Sequence, residues 1–132
     1  MILVDTSVWI DFLNGRSTKY RRTLHALIES DEDICLAENI LMEILQGIKN
    51  DRQHGELKDY LLAFSLLMTT PVQSYLHAAD IYRQCRKKGF TIRKPLDCLI
   101  SAVAIENNAA LFHNDADFEK VAKTTGLRLY EV

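Results

Sequence analysis

Residues 1–13 read MILVDTSVWIDFL, and the order of residue types in this stretch indicates the fold class. The apolar run from Ile2 to Val4 predicts a short buried strand. Asp5 then ends the strand, and together with Thr6 and Ser7 it supplies the N-cap chemistry of a helix that runs to residue 13. A strand followed directly by a helix is the unit of parallel sheets, so the chain begins as an α/β protein does.

The same alternation of short apolar runs and helical patterns continues to the end of the chain. Further strands are predicted at residues 34–36, 66–70, 110–112 and 127–130. Further helices are predicted at 19–29, 38–48, 52–63, 73–88, 95–107 and 116–123, with Gly89 ending the longest and Pro95 in the first turn of the next. The sequence therefore predicts one α/β domain over residues 1–132, with a mainly parallel central sheet of about four or five short strands and helices on both faces.

The composition is that of an ordinary globular protein. The chain has 132 residues, of which 48% are hydrophobic and 26% charged, and a chain of this length needs no disulfide or structural metal to fold. The longest apolar run, residues 61–68, is too short to cross a bilayer, and an acid at position 5 interrupts any signal peptide. Three cysteines without paired spacing favour reduced thiols, and we expect a cytoplasmic protein with no membrane segment.

Four acids lie where the predicted elements could bring them together. Asp5 and Asp115 each follow a predicted strand, at the sheet edge where α/β proteins bind ligands. Asp97 is the only acid in an otherwise apolar stretch of helix, so its burial requires a partner or a cation. Glu43 lies at the margin of the apolar stripe of its own helix. Carboxylates that meet at one edge repel one another, and ligands that are all oxygen favour Mg²⁺ or Mn²⁺.

Each acid also has an ordinary interpretation. Asp5 and Asp115 could simply cap the helices that follow them. Asp97 could be favoured by the dipole at the start of its helix, and Glu43 could be a solvated residue at the rim of the core. Trp9 and Phe12, just after the first acid, are expected in the core or at a partner interface rather than as platforms for stacking bases.

The net charge of −2 argues against a nucleic-acid partner if it is spread evenly. If five of the 18 acids share one pocket, however, 13 acids remain elsewhere against 16 bases, and the rest of the surface is mildly basic. The main basic run flanks Gly89 and could contact phosphates, or could be a solvated helix end: Arg83, Arg86, Lys87, Lys88, Arg93 and Lys94. The same two interpretations hold for a weaker group: Arg16, Lys19, Arg21 and Arg22.

Four segments together resemble a known family. MILVDTSVWIDFL, ENILMEILQGI, RKPLDCLISAVA and LFHNDADF occur in this order, span essentially the whole chain, and resemble PIN domains, above all the VapC-type toxin ribonucleases of bacterial toxin–antitoxin pairs. The resemblance implies an endoribonuclease that hydrolyses RNA phosphodiester bonds. It also implies that one or two Mg²⁺ or Mn²⁺ ions are bound by the catalytic acids Asp5, Glu43, Asp97 and Asp115.

The resemblance extends to supporting groups and to partners. Asp117 is implied as a further ligand or as a support for one, and the hydroxyls of Thr6 and Ser7 as supports for the first acid. His113 stands where many relatives have Thr or Ser, and we expect it to be structural rather than a general base. A homodimer is implied, as is a cognate VapB-type antitoxin that blocks the active site with an Arg or Lys.

Two other functions were weighed. A phosphoacceptor signalling domain also binds Mg²⁺ with acids at strand ends, but it needs a pair of acids after the first strand and a Lys after the last. Here Asp5 is followed by Thr6 and Ser7, and residues 127–132 contain no Lys. A catalytically inactive PIN-like binding module is the second alternative, and the complete set of acids speaks against it.

Overall fold

A parallel sheet of four strands lies at the centre of the computed structural model, which describes all 132 residues. The strand order is β3-β2-β1-β4, and every neighbouring pair is parallel. In the central pairs, Ile2 lies opposite both Ile34 and Ala110. The strands are β1 (Ile2–Val4), β2 (Ile34–Ala37), β3 (Ser65–Leu67) and β4 (Ala110–Phe112).

Seven helices cover the sheet in two groups. Helices α1 to α4 are linked by mutual contacts, and α5 to α7 form a second packed group. The chain adds β2 and β3 on one side of β1 and then β4 on the other side. Because connections between parallel strands are right-handed, this change of direction puts the two groups of helices on opposite faces of the sheet. The predicted α/β fold is thereby confirmed. The helices are α1 (Thr6–Leu13), α2 (Lys19–Glu29), α3 (Glu38–Leu45), α4 (Asp51–Leu62), α5 (Gln73–Lys87), α6 (Pro95–Glu106) and α7 (Ala116–Thr124).

Three predicted elements differ from the structure by more than one residue. The strand predicted at residues 66–70 ends at Leu67, since the N–H of Thr69 donates to Glu38 Oε1 instead of to a neighbouring strand. The strand predicted at residues 127–130 is wrong, because this segment forms only an isolated parallel bridge between Leu129 and Leu111. Its apolar pattern reflects the burial of Leu127 in the core rather than pairing along a ladder. Helix α3 ends at Leu45 instead of residue 48, since the next backbone bonds tighten to i→i−3 turns, as in Gly47 N–H to the carbonyl of Ile44.

The core is one cluster of 30 buried hydrophobic residues. Its largest fully buried side chains are Trp9, Phe112 and Phe118, which lie in α1, β4 and α7. Gly89 ends α5 as predicted, with a φ of +86° that other residues rarely adopt. None of the helices is long and apolar enough to cross a bilayer.

Candidate active site

The predicted acids lie at the carboxyl ends of the strands. Asp5 follows β1 directly, and Asp115 follows β4, the strand beside it. The chain adds β2 on one side of β1 and β4 on the other, so the site lies where the direction of the strand order reverses, the usual ligand position in such sheets. Asp5 and Asp115 cap α1 and α7, and Asp97 lies in the first turn of α6. Helix N-termini favour carboxylates because their dipoles present positive charge.

The first acid is held by the hydroxyl next to it. Asp5 is 5% exposed, and its Oδ2 accepts hydrogen bonds from the backbone N–H of Ser7 at 3.0 Å and from Ser7 Oγ at 2.6 Å. Ser7 Oγ in turn accepts a bond from the backbone N–H of Asn114 at 2.9 Å. Asp5 is therefore a helix cap that keeps Oδ1 unbonded, and Ser7 joins α1 to the loop after β4. The Thr6 hydroxyl is buried and has no hydrogen-bond partner.

The third acid is buried without a partner. Asp97 is 5% exposed, and its Oδ2 makes no hydrogen bond. Its pKa is raised to about 7, first by burial; Lys94 lowers the pKa, whereas Asp5, Asp115 and Glu43 raise it further. The structure thus brings Asp5, Asp115 and Glu43 within electrostatic reach of Asp97, although the four acids are distant in the sequence.

The fourth acid lies in a network of cations. Asp115 Oδ1 accepts bonds from the N–H of Asp117 at 3.0 Å and from Arg93 Nη2 at 2.9 Å, while its Oδ2 lies 3.4 Å from Lys94 Nζ. Asp117 receives the backbone N–H and Nε of Arg93 and the Nζ of Lys120. Burial raises the pKa of Asp117, but these donors outweigh burial and hold the pKa at about 2. Asp117 therefore anchors the loop before α6 to α7.

Glu43 completes the set from helix α3, on the side of β1 away from β4. Its side chain is half-buried, and Oε1 accepts a bond from Asn39 Nδ2 at 3.2 Å. The sequence analysis missed Asn39 as a supporting residue. Its spacing of four from Glu43, which puts both on one helix face, is the signal that could have found it.

His113 has a structural environment. Its Nδ1 accepts a hydrogen bond from the backbone N–H of Asp115 at 3.0 Å, and its ring centre lies 5.2 Å from that of Phe118. Burial lowers its pKa. A Ser or Thr hydroxyl makes the same bond to the N–H two residues on, so the ring nitrogen replaces that hydroxyl as a local turn former.

The basic residues separate into two groups. Arg93 and Lys94, predicted as RNA contacts, face Asp115 and Asp117. By contrast, Arg86, Lys87 and Lys88 at the end of α5 are exposed and form no ion pair.

The acids fit a divalent cation by chemistry but are not preassembled around one. No three Asp, Glu, His or Cys side chains lie close enough together to hold a metal ion. The donors are nevertheless all carboxylate oxygens, the ligands that Mg²⁺ and Mn²⁺ prefer, and the unpaired Asp97 Oδ2 is a buried group that a cation would satisfy. Both Asp115 oxygens are already engaged by other donors.

Comparison with known proteins places these features in a family context. Residues 2–124 match the PIN domain family. The chain is 36% identical to a VapC ribonuclease of Mycobacterium bovis over 97% of this chain and 96% of that protein, and 30% identical to ribonuclease VapC1 of Methanocaldococcus jannaschii over 98% and 87%. Among solved structures it is similar to VapBC2 of Rickettsia felis bound to a promoter DNA fragment, with a TM-score of 0.75 and 21% identity over 98% of each chain. It is also similar in fold to VapC20 of Mycobacterium tuberculosis, a toxin that cleaves the sarcin-ricin loop, with a TM-score of 0.69 and 18% identity over 97% of this chain and 99% of that one.

Proposed function

The chain belongs to the PIN-domain family, and on that basis we propose that it is an endoribonuclease, the toxin of a type II toxin–antitoxin pair, that hydrolyses RNA phosphodiester bonds. The observation that carries this proposal is 36% identity to a VapC ribonuclease over almost the full length of both chains. The position of Asp5 and Asp115 after the adjacent strands β1 and β4, within electrostatic reach of Asp97, supports it independently, because the carboxyl ends of the strands are where an α/β protein binds its ligands.

We propose that Asp5, Glu43, Asp97 and Asp115 hold Mg²⁺ or Mn²⁺. When bound, such an ion supplies the positive charge that activates a water and stabilises the transition state of phosphodiester hydrolysis. The residues of the chain contribute geometry and charge. Ser7 fixes Asp5, Asn39 fixes Glu43, and the buried Asp97 carboxyl, with its raised pKa, gives up its proton when positive charge enters the site.

The cleavage test compares wild type with Asp97→Asn on end-labelled RNA. We expect Mg²⁺-dependent cleavage that EDTA abolishes, and a loss of at least about a hundredfold in Asp97→Asn, because a ligand is removed while the shape of the side chain is kept. Asp59→Asn, at an exposed position on α4, is the matched control. Near-normal cleavage by Asp97→Asn refutes the assignment of the metal site. A wild-type protein that binds RNA but never cleaves it is the inactive binding module instead.

The proposed partner is a cognate VapB-type antitoxin. Its inhibitory segment would present an Arg or Lys to the acids, since charge-assisted bonds to carboxylates are strong. A tight inhibitory complex with no basic residue near Asp5, Asp97 or Asp115 contradicts this detail. We place the protein in the cytoplasm, where its RNA substrate lies and where its three buried, unpaired cysteines stay reduced.

A homodimer is proposed from family membership. Exposed apolar side chains beside a groove of about 430 Å³ between α5 and α6 provide a surface that a second copy could cover, namely those of Tyr75, Leu76 and Leu96. Light scattering of wild type and Leu76→Glu tests it: a dimer that the substitution converts to a monomer supports the proposal, and a monomeric wild-type protein refutes it.

A further inference from the structure

Lys94 is a cation in direct contact with one of the predicted acids. It is the residue before Pro95 at the start of α6, and its Nζ is 3.4 Å from Asp115 Oδ2. It also acts on two more of the acids. Burial lowers the pKa of Lys94, but Asp97, Asp115 and Asp5 together raise it above its usual value. The ammonium therefore forms an ion pair with Asp115 and lies within electrostatic reach of Asp97 and Asp5.

The neighbouring Arg93 has a different position. It is tied to Asp117 through its backbone N–H and its Nε, and to Asp115 through Nη2, so three hydrogen bonds fix its position. Lys94 is the base that lowers the pKa of Asp97, which has no hydrogen-bond partner of its own. The two adjacent cations thus differ: Arg93 fixes the loop, and Lys94 compensates the charge of the buried acid.

We propose that Lys94 is an internal counter-ion that neutralises the acid cluster when no divalent ion is present and must withdraw before one can bind. This inference rests on the proposed metal site. Its side chain is 61% exposed, so the ammonium can swing into solvent without disturbing the core. Once the ammonium withdraws, Asp115 Oδ2 is free to serve as a ligand, whereas Oδ1 stays bonded to Arg93 and to the N–H of Asp117.

Charge explains why both cations cannot occupy the site together. An ammonium and a divalent ion a few ångströms apart repel strongly enough, even at the dielectric constant of water, to change affinity by about tenfold. The chain would therefore bind its metal more weakly than the four carboxylates alone would allow. A phosphate group of RNA, arriving with the metal, is the natural new partner for the displaced ammonium.

The test measures Mn²⁺ binding by isothermal titration calorimetry without RNA. We expect Lys94→Gln to bind Mn²⁺ about tenfold more tightly than wild type, because the competing charge is gone. Lys94→Arg keeps the charge and should stay near the wild-type affinity. Lys58→Gln, an exposed position on α4 with the same change in net charge, is the control and should also match wild type.

Thermal unfolding supplies a second readout. In EDTA, Lys94→Gln should unfold at a lower temperature than wild type, since its acids lack their counter-ion, and excess Mn²⁺ should remove that difference. The inference is overturned if Lys94→Gln binds Mn²⁺ no more tightly than wild type. It is also overturned if Lys58→Gln binds Mn²⁺ as tightly as Lys94→Gln does. If wild type and Asp97→Asn both fail to bind Mn²⁺, the metal site itself is wrong, and the role of Lys94 falls with it.

Discussion

Asp97 is the residue whose surroundings most constrain the chemistry. Burial raises its pKa to about 7 in the folded chain, whereas the same group titrates near 3.9 when unfolded. Between these values the folded chain holds a proton that the unfolded chain has lost, so the contribution of Asp97 to the free energy of unfolding falls as the pH rises from about 4 to about 7. Protonation of the buried Asp97 carboxyl thus removes the same unfavourable charge that a bound cation would compensate.

We therefore expect Asp97→Asn to gain stability over metal-free wild type as the pH rises through that window. The amide has no charge to bury, and His113 titrates alike in both proteins, so the difference isolates Asp97. Urea unfolding in EDTA at several pH values measures it. A difference that stays constant from pH 4 to pH 7 contradicts the burial of an ionisable Asp97. The pKa of Asp117 is lower, at about 2 in the folded chain. The stabilisation that its ionised carboxylate provides is therefore lost only below about pH 4.

The positions of the acids could be predicted from the sequence, but their pairings could not. Asp5 and Asp115 follow apolar runs, and Asp97 is the one acid in an apolar stretch, which the sequence displays. Whether a side chain caps a helix or is free to bind an ion was open, and the structure shows that Asp5 caps with Oδ2 only. The contacts of Arg93 and Lys94 with Asp115 depend on how the loop before α6 meets α7, and no local pattern encodes that distance.

Helix α1 joins the site to the core. It begins at the Asp5 cap and carries Trp9, which is fully buried, with ring centres 5.8 Å from Phe12 and 5.4 Å from Phe64. Helix α1 thus fixes Asp5 at its N-terminus and packs Trp9 into the core. The expectation that Trp9 belongs to the core rather than to a base-stacking surface is consistent with this burial.

Replacing Trp9 should destabilise the whole fold. We expect Trp9→Ala to lower the free energy of unfolding by about 3–5 kcal/mol, since it removes a buried ring and leaves a cavity. Trp9→Phe should cost less, because it keeps a ring and removes a buried indole N–H that has no hydrogen-bond partner. Urea denaturation measures both. A Trp9→Ala protein within about 1 kcal/mol of wild type would show that this helix packs differently.

The apolar periodicity of the sequence predicted which helices and strands exist better than it predicted the residues at which they end. All seven helices and four of the five predicted strands exist, because apolar spacing reports which side of a segment is buried. The segment 127–130 carries the same apolar signal, yet pairs with β4 only at Leu129. Strand pairing depends on a second strand that lies elsewhere in the chain. The sequence of one segment therefore does not show how many of its residues will pair with that strand.

The molecule as a whole has more basic charge at its surface than its net charge of −2 suggests. Asp97 is buried within electrostatic reach of three other acids, while Lys87 and Lys88 lie at the end of α5 as exposed, unpaired cations. Exposed, unpaired cations of this kind are suited to contact the phosphates of a polyanion.

We expect the double substitution of Lys87 and Lys88 by Gln to weaken RNA binding. If each contacts one phosphate, the slope of log affinity against log salt concentration should become shallower by about 1.4, at roughly 0.7 for each contact to a single strand. Fluorescence anisotropy in an Asp97→Asn background measures binding without cleavage. Lys58 and Lys123, replaced together by Gln, are the control, and an equal effect there would reduce the patch to general surface charge.

The assembled metal site can be examined in crystals grown with Mn²⁺. We expect one or two anomalous difference peaks bounded by the carboxylates of Asp5, Glu43, Asp97 and Asp115, with the Lys94 ammonium moved away from Asp115. Peaks elsewhere on the surface, or a fully occupied Mn²⁺ that leaves these four carboxylates uncoordinated, would contradict it.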